Sequence, residues 1–163
     1  RLACVHENVQ NKTLAQTPES CDNPGGSPDV RFLYDDAGNR VVKESSQSHI
    51  YPNRSYSTQG NKAFKHIHIG DTRLITKFVE PDRRFEDRQF YVHGDHLGST
   101  GFVTDGAGKL YEHLNYFPSG ETWVEETKDS GQPVPYQVAG KEIDPVTGYY
   151  YYGTRYYDPR ASM

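Results

Sequence analysis

Hydrophobic and polar residues alternate along this chain in short runs with a period of two. Ala63–Ile69 is the clearest run: Phe64, His66 and His68 fall on one side, and Ala63, Lys65, Ile67 and Ile69 on the other. Alternation of this kind predicts a half-buried β-strand, because successive side chains of a strand point to opposite faces. The same reading predicts strands at Val30–Tyr34, Arg40–Glu44, His49–Tyr51, Thr72–Val79, Gln89–His93, Thr100–Thr104, Lys109–Tyr116, Glu121–Glu126 and a short one at Tyr136–Ala139. They recur at roughly ten-residue intervals with turn residues between them, which is an all-β signal. No window of helical length carries a helical repeat with caps. The expected fold class is all-β, an antiparallel hairpin meander.

The turns repeat a plan. Tyr34, Thr104 and Tyr116 each end a strand, with Gly38, Gly108 and Gly120 four positions on. Polar residues Asn39, Lys109 and Glu121 then start the return. Glycine supplies the positive φ that a tight reversal needs. Hairpins that cannot bury a face alone argue for a repeat sheet. Charged or polar loops are expected at Glu80–Arg88 and Lys128–Pro135.

One stretch breaks the alternation. Gly140–Pro159 holds six of the thirteen tyrosines. The turn signal Asp144-Pro145-Val146-Thr147-Gly148 opens it and Asp158-Pro159 closes it. Tyr149, Tyr151, Gly153, Arg155 and Tyr157 would share one face, and Tyr150, Tyr152, Thr154, Tyr156 and Asp158 the other. Tyrosine favours a pleated, half-buried surface, so the expectation is a strand within a larger sheet, partly covered on both sides.

Composition narrows the picture. Of 163 residues 34% are hydrophobic, and mean hydropathy is −0.87, which is lean for a compact core; 13% aromatic content argues against disorder. Either the domain is thin and turn-rich, or it is part of a sheet that other residues complete. A net charge of −4 gives no footprint for nucleic acid, and no stretch approaches the ~20 apolar residues of a membrane span. The chain begins with Arg1 and shows no signal-peptide pattern, as expected of a processed or excised piece. Residues 1–28 are weakly patterned and are expected to form a loop or linker arm, with at most one short strand around Leu2–Val5. Cys4 and Cys21 lie in this arm. Paired, they would close a short loop worth on the order of 3 kcal/mol and point to an exported protein; the alternative is two free thiols.

Three segments together resemble the Rhs/YD-repeat family, specifically its Rhs-associated core region. Tyr34-Asp35-Asp36-Ala37-Gly38-Asn39-Arg40 resembles a YD repeat. Tyr91-Val92-His93-Gly94-Asp95-His96-Leu97-Gly98-Ser99-Thr100, followed by Val103-Thr104-Asp105, resembles the family's DHLGS signature. Gly140-Lys141-Glu142-Ile143-Asp144-Pro145, Thr147-Gly148-Tyr149-Tyr150-Tyr151 and Gly153-Thr154-Arg155-Tyr156-Tyr157-Asp158-Pro159 resemble the terminal signature of the core. They stand in the family's order and cover residues 29–163. The resemblance implies an end section of a spiralling β-shell, or cocoon, that encloses a C-terminal toxin, as in polymorphic Rhs toxins and Tc-toxin C components. The implied partners are the rest of the shell, the enclosed toxin domain and a secretion or injection apparatus. The implied location is secreted or cell-surface, in an exported bacterial protein. A second reading is a carbohydrate-binding or adhesive surface module, because exposed aromatics also stack on glycans. A free-standing enzyme ranks third.

Many members of the family cut themselves just after the core with an aspartyl-type site, whose two carboxylates share a proton. The resemblance carries that role to Arg155 and Asp158, the only carboxylate beside it. The position after the arginine, acidic in cleaving members, is Tyr156 here, and the sequence reaches Met163 before a second Asp-Pro. These residues alone therefore do not assemble the pair, and the chain as given is expected to be inert. The other reading of Arg155 is a structural cation stacked on tyrosines. The His93-Gly94-Asp95-His96 loop, with His66 and His68, invites a metal reading. The preferred reading is structural: Asp95 caps a tight turn, His96 packs and Gly98 takes the unusual dihedral. Tyr34, Gly38 and Gly148 are likewise assigned to turn and motif structure. No cofactor and no metal are expected.

Overall fold

A computed structural model describes residues 3–8, 11–15, 30–79, 88–128 and 134–162. Ten strands form a continuous antiparallel meander, each hydrogen-bonded to its neighbour in sequence. They are β3 (Val30–Tyr34), β4 (Arg40–Glu44), β5 (Ser48–Asn53), β6 (Tyr56–Gln59), β7 (Lys62–Ile69), β8 (Thr72–Val79), β9 (Arg88–Gly94), β10 (Thr100–Thr104), β11 (Leu110–Tyr116) and β12 (Thr122–Thr127). The arm supplies two strands where at most one was expected: β1 (Cys4–Asn8) and β2 (Asn11–Ala15) pair antiparallel. β1 joins β3 through Cys4↔Arg31 and Val5↔Val30, completing a sheet of twelve strands among the described residues. Among those residues there is no α-helix.

The reversals between strands are built alike. In each of Asp35–Asn39, Asp95–Ser99, Asp105–Lys109 and Phe117–Glu121 the first residue's N–H donates to the fifth residue's carbonyl at 2.8–2.9 Å. The fourth residue is Gly38, Gly98, Gly108 or Gly120, with φ from 77° to 91°. An L-residue with a Cβ is strained there, so glycine ends the strand at each of these points. Three of the four first residues are aspartates, whose carboxylates also accept the backbone N–H of the fifth residue.

Register sorts the side chains onto two faces. Phe32 pairs with Lys43, Ser57 with Phe64, Phe64 with Phe78, His66 with Thr76, Thr76 with Phe90 and Val103 with Glu112, and these residues are buried or half-buried. The opposite face carries Leu33, Ile50, Ile67 and Phe102, all exposed. Among the described residues only one face is therefore covered.

Its cover is the C-terminal segment, residues 134–161, here called the strap. Val134 packs in one cluster with Phe90 and Val103, and Phe78, Tyr111 and Tyr136 pack against it. A 3₁₀ turn follows at Val138–Gly140 in place of the expected strand. A separate three-stranded antiparallel sheet then forms from β13 (Glu142–Ile143), β14 (Tyr150–Tyr151) and β15 (Tyr156–Tyr157). Tyr156 and Val146 pack on Val30 and Phe32. The tyrosine-rich stretch is thus not one strand of the large sheet. Gly153, at φ 89°, sits in a reversal closed by the Tyr152 N–H on the Arg155 carbonyl, 2.9 Å. Tyr151 then faces Tyr156 across a two-residue ladder.

Candidate functional site

The interface between strap and sheet is polar. Arg40 and Lys43, on β4, are only 5% and 3% exposed. They hold their places because the β4 register puts Lys43 beside Phe32 on the covered face. From the strap, Glu142 meets both: Arg40 Nη2 at 2.7 Å and Lys43 Nζ at 3.2 Å. The Tyr51 hydroxyl donates to Glu142 Oε1 at 2.7 Å. Asp144 lies 3.4 Å from Lys43 Nζ. Two cations therefore face two carboxylates in an enclosed seam. Burial alone would raise the Glu142 carboxyl, but Arg40 and Lys43 with the Tyr51 hydroxyl outweigh it and hold it below the usual carboxylate range. The Arg40 guanidinium also lies over the rings of Tyr151 at 4.2 Å and Tyr51 at 4.8 Å. Its backbone N–H donates to the Tyr151 hydroxyl, 2.9 Å.

Tyr34 joins the same seam, its hydroxyl 3.0 Å from that of Tyr156. Asp144 caps the turn that the sequence places there: its Oδ1 accepts the N–H groups of Val146 and Thr147 at 2.9 and 3.0 Å. Gly148 takes φ 74° and donates its N–H to the Asp144 carbonyl at 2.7 Å.

The Asp95–Ser99 turn is where the strap's 3₁₀ turn docks. Ser99 Oγ accepts the Ala139 N–H at 3.1 Å, and Thr100 Oγ1 donates to the Tyr136 carbonyl at 2.7 Å. Gly98 and Gly140 both take positive φ here, 81° and 65°, which is what calls for glycine at these two positions. Asp95 Oδ1 accepts the N–H groups of Leu97 and Ser99, each at 2.8 Å. His96, expected to pack, is exposed. Its neighbours in the turn, Asp95 and Leu97, are themselves exposed, so no enclosed surface draws it in.

A second polar set lies deeper. His66 bridges Ser57 Oγ and Thr76 Oγ1, each at 3.1 Å, beneath the edge of the Tyr136 ring. Burial first, then the Arg73 charge, lowers the His66 imidazole to about 3. So weak a base does not activate a serine hydroxyl, and the trio works as a satisfied polar filler. His49, also lowered to about 4 by burial and by Lys43, sits at the seam's rim. A cavity of about 400 Å³ opens there, lined by Lys43, His49, Gln59, Glu125, Gln137 and Asp144 among others. Among the described residues no three of His, Cys, Asp and Glu converge to hold a metal ion.

Arg155 and Asp158 lie near the chain's end without meeting as a pair. Arg155 is exposed. Asp158 Oδ1 instead accepts the N–H and Nε–H of Arg160 at 3.0 and 3.1 Å. Burial would raise the Asp158 carboxyl; Arg160 overrides it and keeps it low. Arg40, Arg73, Lys141 and Arg160 lie over tyrosine rings. Cys4 is fully buried and disulfide-bonded, while Cys21 lies outside the described residues. Sequence reasoning passed over Arg40, Lys43, Arg73, Glu112 and Glu142. The one available signal was strand parity, which puts Lys43 on the Phe32 side.

No family model matches the chain. It is 37% identical over 178 residues to toxin subunit YenC1 of Yersinia entomophaga, covering 94% of this chain and 18% of that protein. It is 29% identical over 164 residues to the tRNA3(Ser)-specific nuclease WapA of Bacillus spizizenii, covering 96% of this chain and 7% of the nuclease. Among solved structures it resembles a chain of the TcdB2-TccC3-TEV crystal structure, with TM-score 0.71 and 21% identity over 93% of this chain and 8% of that one. At that identity the likeness speaks for the fold. The chain spans less than a fifth of each of these proteins.

Proposed function

We propose that this chain is a section of an Rhs/YD-repeat β-shell, corresponding to its Rhs-associated core region, and that the shell encloses a C-terminal toxin. The observation that carries the reading is the meander itself. Ten strands in strict sequence order form a sheet with one covered face and one exposed face, which suits a wall better than a globule. Relatives among toxin subunits, and a fold shared with a TccC3-containing structure, support it. On this reading residues 29–163 are wall and residues 1–28 are an arm stapled by a Cys4–Cys21 disulfide. The partners are further shell, the enclosed toxin and a delivery apparatus, and the protein is exported. The strap closes the inner face of the wall. The test is limited proteolysis of the full-length polypeptide with its C-terminal domain. Deleting residues 134–162 should expose that domain to protease at least tenfold faster; equal protection with and without the strap would overturn the proposal.

A carbohydrate-binding or adhesive surface draws support from Trp123, 69% exposed, and Phe117, with ring centres 5.8 Å apart. A glycan array tests it, and loss of a signal in Trp123→Ala would establish it.

A further inference from the structure

Arg73, near the start of β8, is set against the strap, its guanidinium carbon 3.1 Å from the centre of the Tyr136 ring. Its Nε and Nη1 are enclosed and have no hydrogen-bond partner. The residue as a whole is half-buried. The contrast with Arg40 is direct. Arg40 is enclosed too, but has a carboxylate at 2.7 Å. Arg73 has none. The acid whose charge reaches it, Glu142, is already held by Arg40, Lys43 and Tyr51. Asp71, nearby, faces Arg54 at 3.3 Å. Of the other titratable neighbours, Tyr136 adds a side-chain hydrogen bond and Arg54 a like charge; His66 and His68 are lowered to about 3 and about 4 by burial together with the Arg73 charge. Both are therefore neutral at physiological pH. An enclosed cation without a counter-charge costs several kcal/mol, and this one stands in a chain whose net charge is −4.

We propose that Arg73 is the receptor for a carboxylate side chain, Asp or Glu, presented by polypeptide outside these residues. The proposal rests on the reading of this chain as one section of a longer wall, which supplies that polypeptide. With its two histidines neutral, the site presents the Arg73 guanidinium to a carboxylate, and the charge of Arg54 adds to it from nearby. The guanidinium's planar fork matches a carboxylate's two oxygens.

The test uses the 163-residue chain with acetate as the probe, beside chloride and inorganic phosphate at constant ionic strength, and reads thermal unfolding by circular dichroism. Acetate should raise the midpoint beyond chloride and beyond phosphate. At twice the acetate dissociation constant the folding equilibrium should gain about threefold. Arg73→Met should raise the midpoint in chloride and abolish the acetate response, while Arg54→Met, at an exposed cation, should keep that response. Independently of any variant, one arginine Nε–H resonance of the unsubstituted chain should shift in saturable fashion with acetate. An acetate effect no larger than that of chloride, with no saturable arginine shift, overturns the proposal. So does a larger response to phosphate, which would assign the site to a phosphate group. Neither outcome touches the wall reading, which stands or falls on proteolysis.

Discussion

Replacing Glu112 by Gln should stabilise the protein above neutral pH and leave it unchanged in acid. Glu112, on β11, is fully enclosed. Its Oε2 accepts the Val134 N–H at 3.0 Å, the first tether of the strap, and Oε1 has no hydrogen-bond partner. Burial lifts this carboxyl from 4.5 to about 7; the Val134 N–H opposes the lift in part, and Glu125, of like charge, adds to it. The unfolded chain titrates this group near 4.5. Between those values the native state holds a proton that the unfolded state lacks, so the unfolding free energy falls by about 1.4 kcal/mol per pH unit as pH rises. The stabilisation is complete below 4.5 and lost as pH climbs through about 7. The whole interval is worth about 3 kcal/mol, and relaxation around the enclosed carboxylate reduces that to about 2 kcal/mol. Glutamine keeps an oxygen for the Val134 N–H and carries no charge. Urea unfolding followed by far-UV circular dichroism, stepped from about pH 5 to about pH 8.5, gives the two stability curves. They should converge at the acid end and part by about 2 kcal/mol at the alkaline end, with the Gln variant the more stable. Parallel curves, or a Gln variant weaker at alkaline pH, would refute the claim that an uncompensated carboxylate sits under the strap.

Glu142→Gln should do the opposite at every pH above 5, because it leaves Arg40 and Lys43 facing only Asp144; the expected loss is about 3–5 kcal/mol in urea unfolding, and a loss below about 1 kcal/mol would mean that water screens the seam. His66→Gln should flatten the acid limb of stability: the native imidazole is depressed from 6.5 to about 3, so its contribution is present above 6.5 and lost as pH falls through that interval, opposite in sign to Glu112. A His66 variant whose acid limb matches that of the unsubstituted chain would count against a neutral, enclosed imidazole. Reduction of the disulfide at Cys4, or Cys4→Ser, should lower stability by about 3 kcal/mol; an unchanged unfolding midpoint under reductant would show that the bond adds nothing. A chain extended past Met163 that releases its C-terminal part, with release abolished by Asp158→Asn, would establish self-cleavage and require Asp158 to leave Arg160.

Turn chemistry was legible because it is local. Asp35, Asp95 and Asp105 each act within four residues of their glycine, so the spacing alone discloses the reversal and the meander that follows from it. The repeat read at Gly38, Gly108 and Gly120 extends in the structure to Gly98. The strap was not legible. Its contacts run from Glu142 to Arg40 and Lys43, 102 and 99 positions away, and no local period encodes such a pairing. A tyrosine run has no hydrophobic alternation to break, so the reversal at Gly153 was hidden within a stretch that reads as one strand. Arg40 and Lys43 were hidden for another reason. A cation in a β-strand is ordinarily read as solvent-facing, and only the strap's carboxylates make the opposite placement tolerable.

That dependence bears on why the cover is charged at all. Tyrosine rings and Val146 on Phe32 would hold a strap in many registers, since apolar contact is non-directional. A two-residue ladder such as Tyr150–Tyr151 with Tyr156–Tyr157 fixes little by itself. Slipping the strap by one residue would turn Glu142 away from Arg40 and leave both ions enclosed and unpaired, a cost of several kcal/mol. The seam therefore works against wrong registers more than it adds to net stability. A double replacement, Arg40→Met with Glu142→Met, separates the two roles. If the pair serves register, the double variant should match the parent in urea unfolding to within about 1 kcal/mol. It should also lose the single set of sharp tyrosine resonances that a uniquely seated strap produces. Retention of those resonances would mean that the tyrosines and the Asp144 turn seat the strap without help from the ions.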